Sequence, residues 1–195
     1  MRIVIKTEVP LGEPTVDMGS VTWLDATIEQ GEDQSDAPHI GTARVAIVHV
    51  GDSEESMLAV LDADSPELGA LHEIYFDGDW LEERFAEVGC NLMYVDNVEI
   101  SPAWAHRNIE CAVVRRLCDA LAGGCSIAVV RCESTEEARF WERMGFEMTR
   151  APSEAHPGYM HLRLCYRRPR VIDPNCDGRF LIVPDPDPSE PARFN

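Results

Sequence analysis

Between Gly123-Gly124 and Ser134 lies the run SIAVVR, Ser126 to Arg131. A strand with one face in water alternates apolar and polar residues, whereas a short continuous apolar run suits a strand buried on both faces. The flanking segments fit that reading. Glu110 to Leu121 has helical spacing, with Ala112, Val113, Leu117, Ala120 and Leu121 on one face and the two glycines as its stop. On the other side Ser134 caps a second helix. Glu136 and Glu137 sit in its first turn, where the helix dipole favours acids. Ala138, Trp141 and Met144 form its inner face and Gly145 ends it. Upstream, LMYVDNVEI (Leu92 to Ile100) reads as a strand ending at Ser101-Pro102. Strand, helix, strand, helix around a doubly buried strand makes this an α/β chain.

The rest of the chain supplies further strands. Arg2 to Val9 and Val21 to Ile28 read as strands. IGTARVAIVHV, from Ile40 to Val50, is β-branched and alternating and pairs with the second strand across an acidic loop from Gly31 to Pro38. Met57, Leu58, Val60 and Leu61 form a short helical patch. Ser65-Pro66-Glu67 is an N-cap with proline at the first helical position, followed by Leu68, Leu71, His72 and Tyr75 at helical spacing. Trp80 to Val88 is expected to add a turn of helix before Gly89. Phe146 to Thr149 and Met160 to Arg168 read as a closing strand pair. This places a domain over residues 1–170 and a C-terminal extension over 171–195. The extension holds a turn-rich loop from Asp173 to Gly178. Phe180 to Val183 is either an edge strand, where a second copy could pair to make a homodimer, or a segment folded back on the body. From Pro184 the tail PDPDPSEPARFN is expected to be extended and mobile.

Net charge is −18, with 35 acidic residues against 17 Lys and Arg, and Lys6 is the sole lysine. Nucleic acids and anionic membranes are bound chiefly through Lys and Arg, so neither is an expected partner. The charge favours solubility and steers a cationic substrate. No apolar run approaches the ~18–20 residues of a membrane span, and the N-terminus lacks the pattern of a signal peptide. The expected compartment is the cytoplasm. Seven cysteines include four at intervals of seven, Cys111, Cys118, Cys125 and Cys132. They fall on a helix, after a turn and at the end of a strand, with no CxxC pair. Small buried apolar side chains are expected, not a metal site.

The order strand, Pro-containing loop, helix, strand, helix, Gly-Phe from Leu92 to Phe146 resembles the core of the GNAT N-acetyltransferases. ARFWERMGFEM (Ala138 to Met148) is similar to that family's closing helix, VEISP (Val98 to Pro102) to the end of its central strand, and IGTARVAIVHV to its hairpin strand. The likeness covers roughly residues 40–168. It implies a mixed, mostly antiparallel twisted sheet flanked by helices, with the central strands splayed. It also implies acetyl-CoA in the V-shaped opening, its pantetheine arm along the main chain of Val98 to Ile100. Its pyrophosphate would lie on the turn from Ala105 to Cys111, at the start of the next helix, where free N–H groups and the positive helix end meet anions. His106, Arg107, Asn108, Ile109, Glu110 and Cys111 are then the candidate cofactor-binding residues.

Several residues depart from the family pattern. Ala105 stands where Arg or Gln is usual, and Asn108 and Glu110 stand at glycine positions. Asn tolerates positive φ. A carboxylate beside two phosphates is unfavourable, by about 1 kcal/mol at 4 Å in water, which His106 and Arg107 would partly offset. Thr135 and Trp141 replace the family's frequent Asn and Tyr. Asp96 and Glu99 are the candidate bases for the acceptor amine; three residues apart, they face opposite ways if the strand is regular, with Tyr94 on the side of Asp96. The Ile100 amide is placed to polarise a carbonyl. Two functions follow from the resemblance: an acyl-CoA-dependent N-acetyltransferase acting on an amine of a small molecule or protein, or a GNAT-fold binding or regulatory protein that has lost CoA.

Overall fold

The computed structural model describes residues 1–6, 20–31, 38–51, 56–87, 89–166, 168–172 and 178–185. Its strands are β1 (Arg2–Lys6), β2 (Val21–Glu29), β3 (His39–Val48), β4 (Phe76–Asp77), β5 (Trp80–Leu81), β6 (Asn91–Ile100), β7 (Cys125–Cys132), β8 (Glu147–Arg150), β9 (Gly158–Arg163), β10 (Arg170–Ile172) and β11 (Leu181–Val183). The helices are α1 (Met57–Asp64), α2 (Pro66–Tyr75), α3 (Ile109–Leu121) and α4 (Thr135–Glu142). Seven strands form one sheet in the order β1-β2-β3-β6-β7-β9-β8. Every pairing in it is antiparallel except β6 with β7. A parallel pair needs a crossover, and α3 provides it.

Each face of the sheet carries its own core. Met93, Val95, Ala128 and Val130 pack under α3 and α4. Leu92, Tyr94, Ile127 and Val129 pack under α1 and α2. Successive side chains of β7 feed both cores, which is why SIAVVR is continuously apolar. Helix starts follow their caps: Ser56, Ser65 and Ser134 Oγ atoms accept from the N–H groups of Ala59, Leu68 and Glu137 at 3.3, 3.1 and 3.1 Å. Gly145, at φ 86°, turns the chain out of α4 into β8.

Three expectations need correction, and one alternative left open is decided. Residues 80–87 do not extend a helix. Phe76 and Leu81 pair across a tight turn in which Gly78 takes φ 61°, burying both apolar side chains on a two-strand hairpin. The strand expected to reach Arg168 ends at Arg163. Of the two alternatives left open for residues 180–183, the segment folds back on the body: Phe180 joins the α3 core and residues 181–183 pair with β10, a strand the sequence did not announce. Finally, β6 is not regular, because its register against β3 shifts: Arg44 opposes Asn97, Val45 opposes Val95, and Asp96 is the extra residue of a bulge. Residues 7–9, most of the loop over 31–38, residues 173–177 and the tail from 186 lie outside the described residues. Among those described, no helix is long and apolar enough to cross a membrane.

Candidate active site

The two central strands part. Parallel pairing runs from Asn91 with Cys125 to Val95 with Val130 and stops there. Beyond it, β6 pairs only with β3 through Ile100, while Arg131 and Cys132 of β7 pair only with β9. Two features bend β6 away from β7. One is the Asp96 bulge at the point of divergence. The other is Gly41 on β3, where any Cβ would collide with the Glu99 carbonyl oxygen, so only glycine lets the strands approach this closely. Ser101 donates its N–H to Ile40 O on β3 at 2.8 Å. Main-chain groups alternate in direction along a strand, so the Val98 and Ile100 amides point the other way, into the opening. Their side chains pack against the α3 core.

The loop after β6 passes through a short 3-10 turn, Pro102–Trp104, and enters α3 by an unusual route. His106 (φ 64°) and Asn108 (φ 54°) are the non-glycine residues at positive φ among those described. Asn108 thus keeps the left-handed backbone expected of it, and His106 shares that geometry without any sequence signal. Asn108 is the N-cap of α3, yet its side chain does not cap the helix. Buried, it donates Nδ2–H to Phe180 O at 2.7 Å, and Phe180 N–H in turn donates to Arg107 O at 2.9 Å. Among the described residues nothing accepts from the backbone N–H groups of residues 106–111. Alternating left-handed turns that gather free N–H groups make an anion-binding concavity, and the helix end adds its positive potential. Ile109 and Cys111 bury their side chains in the α3 core. Glu110 is half-buried in the first turn. His106 is exposed. Arg107 lies with Cζ 4.6 Å from the centre of the Trp104 ring and packs beside Gly178.

On the α2 side of the opening the structure gathers groups that sequence spacing could not bring together. Tyr94, just before the divergence, is fully buried and its hydroxyl has no hydrogen-bond partner among the described residues. Burial raises its pKa, and Asp96, Tyr159 and Glu67 raise it further while Arg131 opposes them. Arg131, the first β7 residue beyond the divergence, pairs with Glu133 at 2.5 Å and lies 3.8 Å from Glu67 of α2. Its Nε has no partner. Tyr159 is buried under the Arg150 guanidinium at 5.0 Å. Asp96 and Glu99 are not on opposite faces of a regular strand, because the bulge intervenes. Asp96 is half-buried, and its charge raises the Tyr94 pKa; Glu99 is exposed and accepts from Asn97 Nδ2 at 2.9 Å. Trp141 sits in the α3–α4 core with an unpartnered indole N–H.

Burial pushes the thiols of Cys111 and Cys118 up to about 12 and those of Cys125 and Cys132 up to about 11. They serve the core, as expected. Among the described residues no group of three or more His, Cys, Asp or Glu could hold a metal ion. A cleft of about 700 Å³ behind α3, walled by Ile3, Ile28, Val113, Leu117 and Phe180, shares none of the split's residues.

No protein-family profile matches the sequence, and no curated protein matches it. Among solved structures, the chain is similar to the Drosophila melanogaster polyamine N-acetyltransferase that catalyses formation of N-acetylagmatine. Identity there is 15%, 72% of this chain and 74% of that chain are covered, and the TM-score is 0.46. It is similar to Arabidopsis thaliana NAA60 in complex with acetyl-CoA at 14% identity, with 83% and 99% covered and a TM-score of 0.45. FeeM, an N-acyl amino acid synthase from uncultured soil microbes, follows at 16% identity, 76% and 75% covered and a TM-score of 0.39. The strand order, the one parallel pair of the large sheet and the parting of that pair give the mixed, mostly antiparallel sheet with splayed central strands that the sequence resemblance implies.

Proposed function

We propose that the chain is an acyl-CoA-dependent N-acetyltransferase acting on an amine. The observation that carries this is the conjunction of an opened parallel pair with an uncapped helix end: β6 and β7 separate after Val95 and Val130, and residues 106–111 present unshared N–H groups. The residues fit a pantetheine diphosphate. The Val98 and Ile100 amides would pair with the extended arm, and the 106–111 backbone would hold the diphosphate. Bound there, acetyl-CoA supplies a thioester whose C–S bond breaks as the amine nitrogen forms its new C–N bond. The Ile100 N–H is directed to polarise a carbonyl in the opening. Asp96, at the mouth, accepts the proton that the acceptor ammonium must lose before it is nucleophilic. The Trp141 indole N–H, buried without a partner among the described residues, does not release its proton at ordinary pH, so this residue does not act as the acid for a leaving thiolate.

Glu110 favours a second reading, a GNAT-fold binding protein without CoA, because it sets a carboxylate in the turn that would meet phosphate. Calorimetric titration with acetyl-CoA separates the two. We expect saturable binding, tightened about fivefold in Glu110→Gly, the equivalent of about 1 kcal/mol of relieved repulsion. Absence of heat at millimolar acetyl-CoA with both proteins would establish the second reading.

A further inference from the structure

We propose that the cleft behind α3 binds an aliphatic carboxylate, with its chain along α3 and its head at Arg116. The cleft shares no residue with the split, so the inference stands apart from the acyltransferase reading.

The cleft follows from the layout of the sheet. α3 lies on β6, and α4 on β7 and β9. β1 and β2 run on beyond β3 to the sheet's edge, and on the α3 side they present Ile3 and Ile5 beside Ile28 and Ala26. Ala112, Val113 and Leu117 of α3 face them, and Val171 and Phe180 complete the wall. The space left is about 700 Å³. That lies within the ~300–1,000 Å³ of small-molecule sites, which are mostly apolar with a few polar groups that orient the ligand.

The charged groups of the wall decide the chemistry. Among the described residues these are Arg2, Arg116 and Asp119. Arg2 Nη2 lies 2.8 Å from the Glu29 carboxylate. Asp119, three residues after Arg116, would be its partner along the helix. Its carboxylate instead accepts from Arg115 Nε at 3.1 Å and from Arg168 Nη2 at 3.4 Å. Arg116 is left without a hydrogen bond or ion pair among the described residues. Acids outnumber Lys and Arg by 35 to 17, so no shortage of carboxylates explains this.

Its position points the same way. Ala112, Val113, Arg116, Leu117 and Ala120 form one stripe of α3 along the cleft, and the arginine interrupts an otherwise apolar series. An arginine so placed lays its methylenes on the apolar wall and holds its guanidinium at the rim. Arg116 is exposed there. A carboxylate meets a guanidinium through two parallel N–H···O bonds, and an alkyl chain behind it takes the wall of the cleft out of water. One unpaired guanidinium on a chain of net charge −18 suits a monoanion, whereas a polyanion meets repulsion without further cations to offset it.

The test is calorimetry with decanoate, hexanoate and decylamine. Decanoate should bind saturably, and affinity should fall by about threefold to fourfold for each methylene removed on the way to hexanoate. Decylamine, with the wrong charge at Arg116, should bind more weakly than decanoate by about tenfold. Arg116→Gln should weaken decanoate by about fivefold, the scale of an exposed ion pair. Ala120→Trp fills the cleft from an exposed position, so it should abolish decanoate binding and keep the thermal midpoint. Should the tryptophan unfold the chain, Arg116→Gln carries the test alone. No saturable binding of decanoate, equal binding of decylamine, or decanoate affinity unchanged by Arg116→Gln would overturn the inference. So would a dimer in sedimentation velocity that Ala120→Trp disperses and decanoate does not, because a second copy would then be the occupant of the cleft.

Discussion

The two halves of β6 are consecutive in sequence and opposite in character. Leu92 to Val95 is held by β3 on one side and β7 on the other, and all four residues are buried. Asp96 to Ile100 is held by β3 alone, and its residues alternate between exposed Asn97 and Glu99 and half-buried Val98 and Ile100. LMYV against DNVEI records the difference. A strand with neighbours on both edges and helices on both faces must be apolar throughout. Once β7 departs, one edge of β6 keeps main-chain groups without a strand partner. Such an edge is a template for an extended ligand, and its side chains become free to do chemistry. The closed half is packing throughout, and the open half keeps one strand edge unpaired.

The largest effect that would break this comparison is a packing one. Leu92→Ala, in the closed half, should lower the unfolding free energy by about 2–5 kcal/mol through lost burial and a residual cavity. Glu99→Ala, in the open half, should change it by less than about 0.5 kcal/mol. Urea denaturation measures both, and comparable losses would show that the open half is as structural as the closed one.

Much of the closed half was legible beforehand, because periodicity and caps are local. Ser65-Pro66, Ser134 and Gly145 mark helix ends wherever they stand, and the SIAVVR run marks a buried strand. The open half was less legible, because it is made by mismatches between distant segments. The Asp96 bulge exists only as a count against β3. The need for glycine at position 41 appears only once the Glu99 carbonyl is in place. Arg131 meets Glu67 across the α2–β7 contact, which no spacing announces, so Tyr94 was read from its face and not from its missing partner. The turn into α3 shows the same limit. The sequence marks Asn108 as a residue that tolerates positive φ, but the Phe180 carbonyl that accepts from its side chain stands 72 residues later, just before β11.

A smaller effect sharpens the contrast at the point where the open half hands over to α3. Asn108→Ala places a residue with a Cβ and no compensating side-chain hydrogen bond at φ 54°, and also deletes the bond to Phe180 O. A loss of about 1–3 kcal/mol is expected. Asn108→Gly keeps the backbone geometry and should recover part of it. Thermal unfolding of the two variants checks the order. If Ala is as stable as Gly there, the left-handed conformation is not what constrains the position.

The smallest effect concerns the dry side of the sheet. His161 on β9 opposes Val129, whose other neighbour is Tyr94, so it lies behind the closed half. Phe85 and Tyr75 pack on its ring, Thr149 Oγ1 meets Nδ1 at 2.8 Å, and Nε2 is 3.9 Å from the Glu147 carboxylate without a hydrogen bond. Burial lowers its pKa; Glu147 opposes that shift, while Arg163 and Arg84 add to it. The sign follows directly. Above the unfolded value of about 6.5 both states carry neutral imidazole and the contribution to stability is complete. As pH falls below that value the unfolded chain takes up a proton that the folded protein resists, so stability drops, by at most about 1.4 kcal/mol per pH unit. Wild type should therefore lose thermal midpoint between pH 7.5 and 5.5 faster than His161→Gln, which cannot titrate. Parallel curves would mean that water reaches His161 from the closed side, and that the division between a dry half and an open half does not extend across β7.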